Sequence, residues 1–183
     1  MRKSFVHVVR GLVVVAGLTV GSAALGATQG YVSIKGQKQG QFKGESMVTS
    51  RAAKWMDVLA FRSAVSVPMD AASGGVTGKR KHEPMCFTKH WGAATPQLLN
   101  SVVNNELLSE VDFEFVKTDA QGKESVFQTV KLLNAVIVDD RERLGSEAEV
   151  PGHTQETFEE VCFAYQRAEI TNNDGRTTTV DSW

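Results

Sequence analysis

The stretch from Ala72 to Lys89, ASGGVTGKRKHEPMCFTK, carries the side chains best suited to chemistry, because it combines three glycines with four basic residues and a histidine. Basic, glycine-containing loops can bind phosphate, but a P-loop requires Gly, four residues, and then Gly-Lys-Ser/Thr. Counting back from Gly78-Lys79 places Ser73 where the first glycine is required, and Arg80 stands where the hydroxyl is required. The phosphate-loop hypothesis therefore fails on spacing. The glycines and Pro84 instead predict an ordered loop that leads into a strand.

No other catalytic or metal-binding pattern is present in the sequence. It contains neither a Gly-x-Ser-x-Gly elbow nor a His-Glu-x-x-His zinc pair. His82 and His90 have no third ligand nearby, so we predict no metal site and interpret His82 as a hydrogen-bonded structural residue. The carboxylate pairs Asp139-Asp140 and Glu159-Glu160 are typical of solvated surfaces, and strand neighbours point to opposite faces. We therefore predict neither enzymatic activity nor a cofactor.

Two cysteines, Cys86 and Cys162, lie on predicted strands between apolar neighbours. If the chain is oxidised after export, a disulfide between them would join two strands. The alternative is a pair of buried free thiols. We favour free thiols, because a disulfide requires Cα atoms within about 7 Å of each other.

Length, composition and charge describe a single globular domain. The chain has 183 residues, enough for one core of ordinary size. Its formal net charge is −1, whereas a dedicated nucleic-acid binder normally has a basic excess. We therefore exclude nucleic acid as a partner.

The first 26 residues have the three parts of a secretory signal peptide. Arg2, Lys3 and Arg10 precede an apolar run over residues 11–25, and small residues follow at Ala24 and Gly26. The run is shorter than the ~20 residues that a membrane-spanning helix needs. We predict a signal-peptide-like segment at 1–26 and a domain at 27–183, with no stable membrane association after cleavage. A buried N-terminal helix or an uncleaved anchor is the alternative.

Alternation of apolar and polar residues predicts six or seven antiparallel strands in the domain. Trp55–Val67 is rich in aromatic and β-branched residues and predicts one longer, bent strand that ends before Pro68. The other predicted strands are Gly30–Lys35, Met85–His90, Val111–Phe115, Val126–Val138, Phe158–Ile170 and Arg176–Val180. Polar residues predict loops over 36–51 and 139–154. Hairpin turns are predicted at 119–123 and 172–175, where glycine follows Asp or Asn residues.

One helix is predicted after the third strand. Thr95 is the expected N-cap and Pro96 the first helical residue, where a missing N–H has no cost. An apolar face and an Asn104-Asn105 stop follow; the face consists of Leu98, Leu99, Val102 and Val103. Hairpin-linked strands with one flanking helix predict a mainly β fold, a small antiparallel β-barrel or sandwich, because closure removes exposed strand edges.

An ordered series of short motifs resembles one protein family. The first part is Ser73-Gly74, Thr77-Gly78-Lys79-Arg80, His82, Pro84 and Phe87-Thr88-Lys89. The series continues through the helix ATPQLL, the strands VDFEF and VKLLNAVIV, and finally FEEV, Tyr165 and Asp181-Ser182-Trp183. Together these motifs are similar to the haemolysin co-regulated protein (Hcp) family, the tube proteins of type VI secretion systems. The resemblance covers about Gly30 to Trp183.

The resemblance implies a fold and a set of partners. Members of the family are β-barrels of two sheets with a flanking helix, related to phage tail-tube proteins. They form homo-hexameric rings that stack into a tube, which a contractile sheath and a spike protein deliver into target cells. Small effectors can be carried in the lumen. The resemblance therefore implies a secreted structural subunit.

Two points qualify what the resemblance implies. We expect Lys79, Arg80, Lys81 and His82 to form a loop for ring assembly or stacking, in which the basic side chains meet acidic residues of a neighbouring subunit. Family members normally lack a cleavable signal, whereas residues 1–26 predict periplasmic export. An exported periplasmic binding or carrier protein on the same barrel is therefore the alternative, and a secreted hydrolase without a visible site is a third hypothesis.

Overall fold

The computed structural model describes residues 28–119, 121–145 and 156–182. The predicted signal-like segment at 1–26 lies outside these residues, so the division into segment and domain stays a prediction. Within the described ranges, none of the helical structure is long and apolar enough to cross a membrane.

The described residues form one helix and eleven strands. The helix is α1 (Thr95–Val103). The strands are β1 (Thr28–Gly36), β2 (Gly40–Gln41), β3 (Met56–Val58), β4 (Ala60–Arg62), β5 (Val65–Ser66), β6 (Lys81–His82), β7 (Met85–Lys89), β8 (Leu108–Thr118), β9 (Glu124–Gly145), β10 (Glu156–Asn172) and β11 (Thr177–Ser182).

The main sheet is antiparallel and has nine strands in the described residues. Its order is β2-β1-β8-β9-β10-β7-β4, while β3 also pairs with β1 and β11 with β10. A second sheet consists of β5 and β6 alone. The predicted mainly β, antiparallel fold with one helix is confirmed. The main sheet is not a closed barrel, and the second sheet has only two strands, so the structure departs in this detail from the small barrel of two sheets that the resemblance implied.

Residues 56–62 connect two distant parts of the main sheet. Met56 pairs with Val32 of β1, whereas Phe61 pairs with Phe87 of β7. Between the two strands the Leu59 N–H donates to the Thr88 carbonyl at 2.8 Å. The predicted single strand over residues 55–67 is therefore wrong. The segment breaks into β3, β4 and β5 because each part hydrogen-bonds to a different partner strand.

The core lies between β1, β7, β8, β9 and β10. β8 follows the predicted alternation, since Val111 and Phe113 are fully buried while Asp112 between them faces outward. Phe87 stacks on Phe163 with ring centroids 5.8 Å apart, and Phe113 meets Phe87 edge-on at the same distance. Burial of aromatic rings in such offset and edge contacts provides much of the free energy that holds the sheet together.

Helix α1 starts and ends close to the prediction but is capped differently. The N-cap is Ala94, which makes no side-chain hydrogen bond, and Thr95 binds other groups instead. Leu98 is fully buried, whereas Leu99 and Val103 are 47% and 70% exposed. The apolar face predicted for the helix is therefore only partly covered by this chain.

β9 and β10 are longer than predicted. Residues 139–145, expected to belong to a loop, are part of β9, which ends at Gly145, and the described part of the chain resumes at Glu156, where β10 begins. Residues 139–145 extend the pairing with β10, from Asp139 opposite Cys162 to Gly145 opposite Glu156. A register shift between Cys162 and Phe163 marks a bulge in this long pair.

Glu106 fixes the first β-hairpin to the end of the helix. Its carboxylate is 2% exposed and accepts hydrogen bonds from the Lys38 and Gln39 N–H groups at 2.7 and 2.8 Å. The Gln39 and Ser101 side chains also donate to it. Burial raises the pKa of Glu106, but these hydrogen bonds outweigh burial and leave that pKa below its ordinary value.

Replacement of this carboxylate tests its structural role. Glu106→Ala leaves several buried donors without an acceptor, and we expect the free energy of unfolding to fall by about 3 kcal/mol. Glu124→Ala, at an exposed position of β9, is the control and is expected to change it by less than about 0.5 kcal/mol. Urea unfolding of both variants measures the difference. Equal stability of the two would contradict the assignment.

Candidate functional site

Residues 63–83, here called the arm, leave the main sheet as a two-stranded hairpin. β5 and β6 form its base, with Val65 opposite His82 and Ser66 opposite Lys81. Farther out, an isolated bridge joins Met69 to Val76. The arm is therefore ordered by its own backbone hydrogen bonds, and the expectation of an ordered, exposed loop in this region is confirmed.

The tip of the arm is a turn organised by Asp70. Its Oδ1 accepts the N–H groups of Ala72 and Ser73 and the Ser73 hydroxyl, at 3.1, 2.7 and 2.8 Å. The hydrogen bonds from Ser73 and Ala72 hold the pKa of Asp70 below its ordinary value. Gly74 has a φ of +68°, a conformation that glycine adopts without steric cost. The glycines of this stretch thus shape a turn.

The four predicted site residues all lie on the returning half of the arm. Arg80 forms an ion pair with Asp181 and donates to the Ser182 carbonyl at 3.2 Å. The His82 Nε2 atom lies 3.3 Å from the second oxygen of Asp181. The arm is therefore fixed to the end of β11, and the interpretation of His82 as a hydrogen-bonded structural residue is consistent with this position.

Lys79 and Lys81 are exposed and make no ion pair with any residue that the structure describes. With Arg80, His82 and Ser182, Lys79 borders a recess of about 530 Å³. The arm also exposes four apolar side chains: Val65 (53%), Val67 (43%), Met69 (64%) and Val76 (69%). Exposed apolar side chains beside unpaired basic ones are typical of a protein-binding surface.

A disulfide between Cys86 and Cys162 lies beside the base of the arm. The cysteines face each other in the β7–β10 register with Cα atoms 4.1 Å apart, within bridging distance. The free-thiol interpretation favoured from the sequence is therefore wrong. The two cysteines are 76 residues apart, and loop closure over that length stabilises the fold by roughly 4 kcal/mol.

Glu160 lies within 4.8 Å of both sulfur atoms, an arrangement that could hold a metal ion if the cysteines were reduced. In the disulfide neither sulfur is a thiolate, which is the form that binds metals. The positive group beside these atoms is the guanidinium of Arg62, which donates to the Cys86 sulfur at 3.2 Å and to Glu160 at 2.7 Å. The cluster is thus a disulfide covered by an ion pair.

On the opposite face of β7 and β10, a buried lysine joins three parts of the chain. Lys89 is 1% exposed, and its Nζ atom lies 2.6 Å from Glu45 and 2.9 Å from Glu159. Thr95 accepts a hydrogen bond from Lys89 and donates one to Glu159 at 2.6 Å. This network explains why Thr95 does not cap the helix. It also confirms that Glu159 and Glu160 point to opposite faces.

Asp140 lies near this network and is not the solvated residue expected from the sequence. Neither of its carboxylate oxygens, nor Oε1 of Glu159, has a hydrogen-bond partner among the described residues. Burial is the largest of the causes that together raise the pKa of Asp140 from 3.8 to about 7. The neighbouring carboxylates also contribute, Glu159 most strongly, whereas Lys89 acts in the opposite direction. Near neutral pH, therefore, Asp140 carries a proton in a large fraction of molecules.

This pKa predicts a pH-dependent stability. Because Asp140 has a higher pKa in the folded chain than in the unfolded chain, the folded chain binds more protons between about pH 4 and pH 7. The free energy of unfolding therefore falls as pH rises through this range, by about 1–2 kcal/mol after allowance for solvent screening.

Asp140→Asn keeps the side chain neutral and is expected to remove that part of the pH dependence, making the variant more stable than the parent at pH 8. Asp139→Asn is the control, because Asp139 pairs with the exposed Arg141. Urea unfolding at pH 5 and pH 8 provides the measurement. If the free energy of unfolding of Asp140→Asn differed between pH 5 and pH 8 as much as that of the parent, another group would be responsible.

Sequence reasoning missed the anchor of the arm and the buried ion pair. Asp181 belongs to the terminal motif, but its contact with Arg80 spans 101 residues and leaves no periodic signal. Lys89 appeared as one basic residue among several, and its burial depends on the position of Glu45. Only the strand alternation around Glu159 hinted that one of the paired glutamates faces inward.

Comparison with known proteins gives one consistent result. Residues 31–171 match the family model described as "Type VI secretion system effector, Hcp". The "Major exported protein" of Pseudomonas aeruginosa is 32% identical over 166 residues, which cover 86% of this chain and 96% of that protein.

Solved structures show the same fold. The Hcp1 protein of E. coli EAEC 042 superposes with a TM-score of 0.74 at 25% identity, covering 86% of this chain and 99% of that chain. The secreted protein Hcp3 of Pseudomonas aeruginosa superposes with a TM-score of 0.68 at 27% identity and the same coverage.

Proposed function

The chain belongs to the Hcp family of type VI secretion systems, and on that premise we propose that it is a non-enzymatic structural subunit of a hexameric ring that stacks into a secretion tube. The observation that carries this proposal is the arm. It is an ordered hairpin whose apolar and basic side chains are left uncovered by the chain itself. Such a surface fits a role in binding another copy.

The geometry of the arm supports contact between copies. A hairpin that reaches away from its own sheet can lie on a different surface of the next subunit, which is a heterologous contact. Heterologous contacts form a closed ring when the rotation closes, and stacked rings form a filament. Asp181 and Ser182 hold the base of the arm in one position, so little conformational entropy is lost on binding.

Charge supports the same contact. The whole chain has a formal net charge of −1. The arm carries Lys79, Arg80 and Lys81 against Asp70 and Glu83, a net charge of +1, so the residues outside the arm carry −2 (−1 minus +1). The arm of one subunit is therefore attracted to the body of another. Because these charges are exposed, the attraction weakens as salt is added. The apolar side chains Val65, Val67 and Val76 add a contribution that salt does not screen.

The remaining partners in the proposal follow from the family. Small effectors occupy the lumen of the ring, and a spike protein and a contractile sheath contact the assembled tube. The localisation is secreted, with residues 1–26 serving as an export signal. An exported carrier that uses the same fold as a monomer is the competing function.

The oligomeric state of the purified protein tests the proposal directly. We expect negative-stain electron microscopy to show rings of six subunits, and light scattering to give about six times the mass of the chain. Stacks of rings should appear at high protein concentration. A species that stays monomeric at all concentrations would favour the carrier and contradict the ring.

Charge reversal tests the part played by the arm. Lys79→Glu/Lys81→Glu changes two exposed residues without an ion-pair partner in the described chain, so the fold is expected to be unaffected. We expect assembly to require at least about tenfold more protein, because like charges now meet across the contact. The control, Lys43→Glu/Lys123→Glu, makes the same change in net charge at exposed positions outside the arm. Sedimentation velocity measures the assembly of both double variants. If they assembled equally well, the arm would not be part of the interface.

A further inference from the structure

We propose that Cys86 and Cys162 are a maturation site: the chain is the substrate of a thiol-oxidising reaction that joins β7 to β10 before β4 packs beside them. This inference goes beyond the assembly role. It concerns how the subunit reaches its folded form, and it holds or fails independently of ring formation.

The strand register brings the two cysteines together. Cys86 and Cys162 are directly opposite in the β7–β10 pair, and flanking pairs such as Phe87 with Val161 belong to the core. Correct pairing of these two strands therefore places the two sulfur atoms side by side. The disulfide that forms selects this register over its neighbours, because a one-residue slip would turn the core residues of one strand to the opposite face and separate the two sulfur atoms.

The reaction requires an oxidant outside the chain. Two thiols lose two protons and two electrons as the bond between their sulfur atoms forms. The acceptor is the disulfide of a dithiol–disulfide oxidoreductase, which is reduced to two thiols. A thiolate of the chain first attacks one sulfur of the oxidant to form a mixed disulfide. The second cysteine then attacks its neighbour and releases the oxidant's thiolate.

Arg62 and Glu160 contact different sulfur atoms and act at different stages. The Glu160 Oε1 atom lies 3.8 Å from the Cys162 sulfur and can accept the proton of that thiol. Glu160 belongs to β10 and is therefore in place while the bond forms. The Arg62 guanidinium lies 3.2 Å from the Cys86 sulfur, but Arg62 belongs to β4, so it arrives after the bond has formed and covers it. Glu160 acts as a positioning residue, since the oxidant itself supplies the reacting disulfide.

Burial places the reaction before the end of folding. Cys86 is 3% and Cys162 5% exposed, so neither sulfur can be reached by a protein oxidant in the folded chain. Arg62 belongs to β4 and is paired with Cys86 across the β4–β7 ladder. The sulfur atoms are therefore accessible only until β4 pairs. The same burial protects the finished disulfide from reducing thiols, which makes it a structural bond and not a redox switch.

The need for an oxidant also defines a compartment. Dithiol–disulfide oxidants act in oxidising compartments such as the bacterial periplasm, while cytosolic thiols are kept reduced. The signal-like segment predicted at residues 1–26 would deliver the unfolded chain to such a compartment. The cysteine pair and the signal-like segment, which are different parts of the chain, thus both indicate export to an oxidising compartment.

Thiol state in two hosts tests the proposal. The full chain is expressed in a bacterial host with its exported dithiol oxidase and in a strain without it. Samples are acid-quenched, denatured and treated with a polymer-linked maleimide. We expect no adduct from the first host and two adducts per chain from the second. Two adducts from both hosts, or none from both, would overturn the proposal. Because the readout uses denatured chains, it does not depend on whether rings form.

Refolding tests the order of events. When oxidised glutathione is added at the start of refolding of the reduced chain, we expect the disulfide to form at least tenfold faster than when it is added afterwards. Arg62→Gln should leave the rate of closure in the refolding chain unchanged, because β4 pairs only after the bond has formed. Arg167→Gln, which changes an exposed arginine of β10, is the matched control. Equal rates before and after refolding, or a slower closure in Arg62→Gln than in Arg167→Gln, would overturn the proposed order.

Discussion

The buried ammonium group of Lys89 is the constraint on which the rest of the structure depends. Removing a charge from water costs several kcal/mol, and partners must be placed with good geometry to offset that cost. Here the partners come from three places: Glu45 in the loop before β3, Glu159 in β10, and Thr95 at the start of the helix. The charge is satisfied only when loop, strand and helix are all in their final positions. This requirement selects one arrangement of elements around a core that apolar contacts alone would hold less specifically.

β10 shows how one strand serves different purposes on its two faces. Glu159, Val161 and Phe163 point inward to the ion pair and the core, while Glu160 and Cys162 point outward to Arg62 and the disulfide. The inward face is buried. Asp140 lies near its ion pair, and burial, followed by the charge of Glu159, raises the pKa of Asp140. The outward face carries a covalent bond that holds β7 beside β10. β7 in turn begins where the arm ends, so the base of the arm is fixed from one side by the disulfide and from the other by Asp181.

The arm differs from the body in the kind of interaction that holds it. The body is stabilised by buried aromatic side chains such as Phe87, Phe113 and Phe163. The arm has no buried core; short backbone ladders, an Asp70 turn and an ion pair to Asp181 keep it ordered. An ordered element with an uncovered apolar side gains most of its burial only when another molecule covers it. The body has its own buried core, whereas the arm buries its apolar side chains only against another molecule. This difference is the physical basis for the proposed role in assembly.

The sequence by itself determined the class of fold, the family and most elements, because these depend on local patterns. Alternation around Phe113 marked a half-buried strand, Pro96 marked the helix start, and the Asn172–Gly175 turn marked the last hairpin. The motifs around Gly78 and His82 identified the family. Whatever depends on contacts between distant residues was decided only by the tertiary structure. Residues 55–67 break into three strands because their partners differ, Asp140 and Lys89 are buried by elements far away in the chain, and Cys86 reaches Cys162 through strand register. Periodicity reports which face a residue shares with its neighbours, whereas partner identity depends on how all the strands pack together.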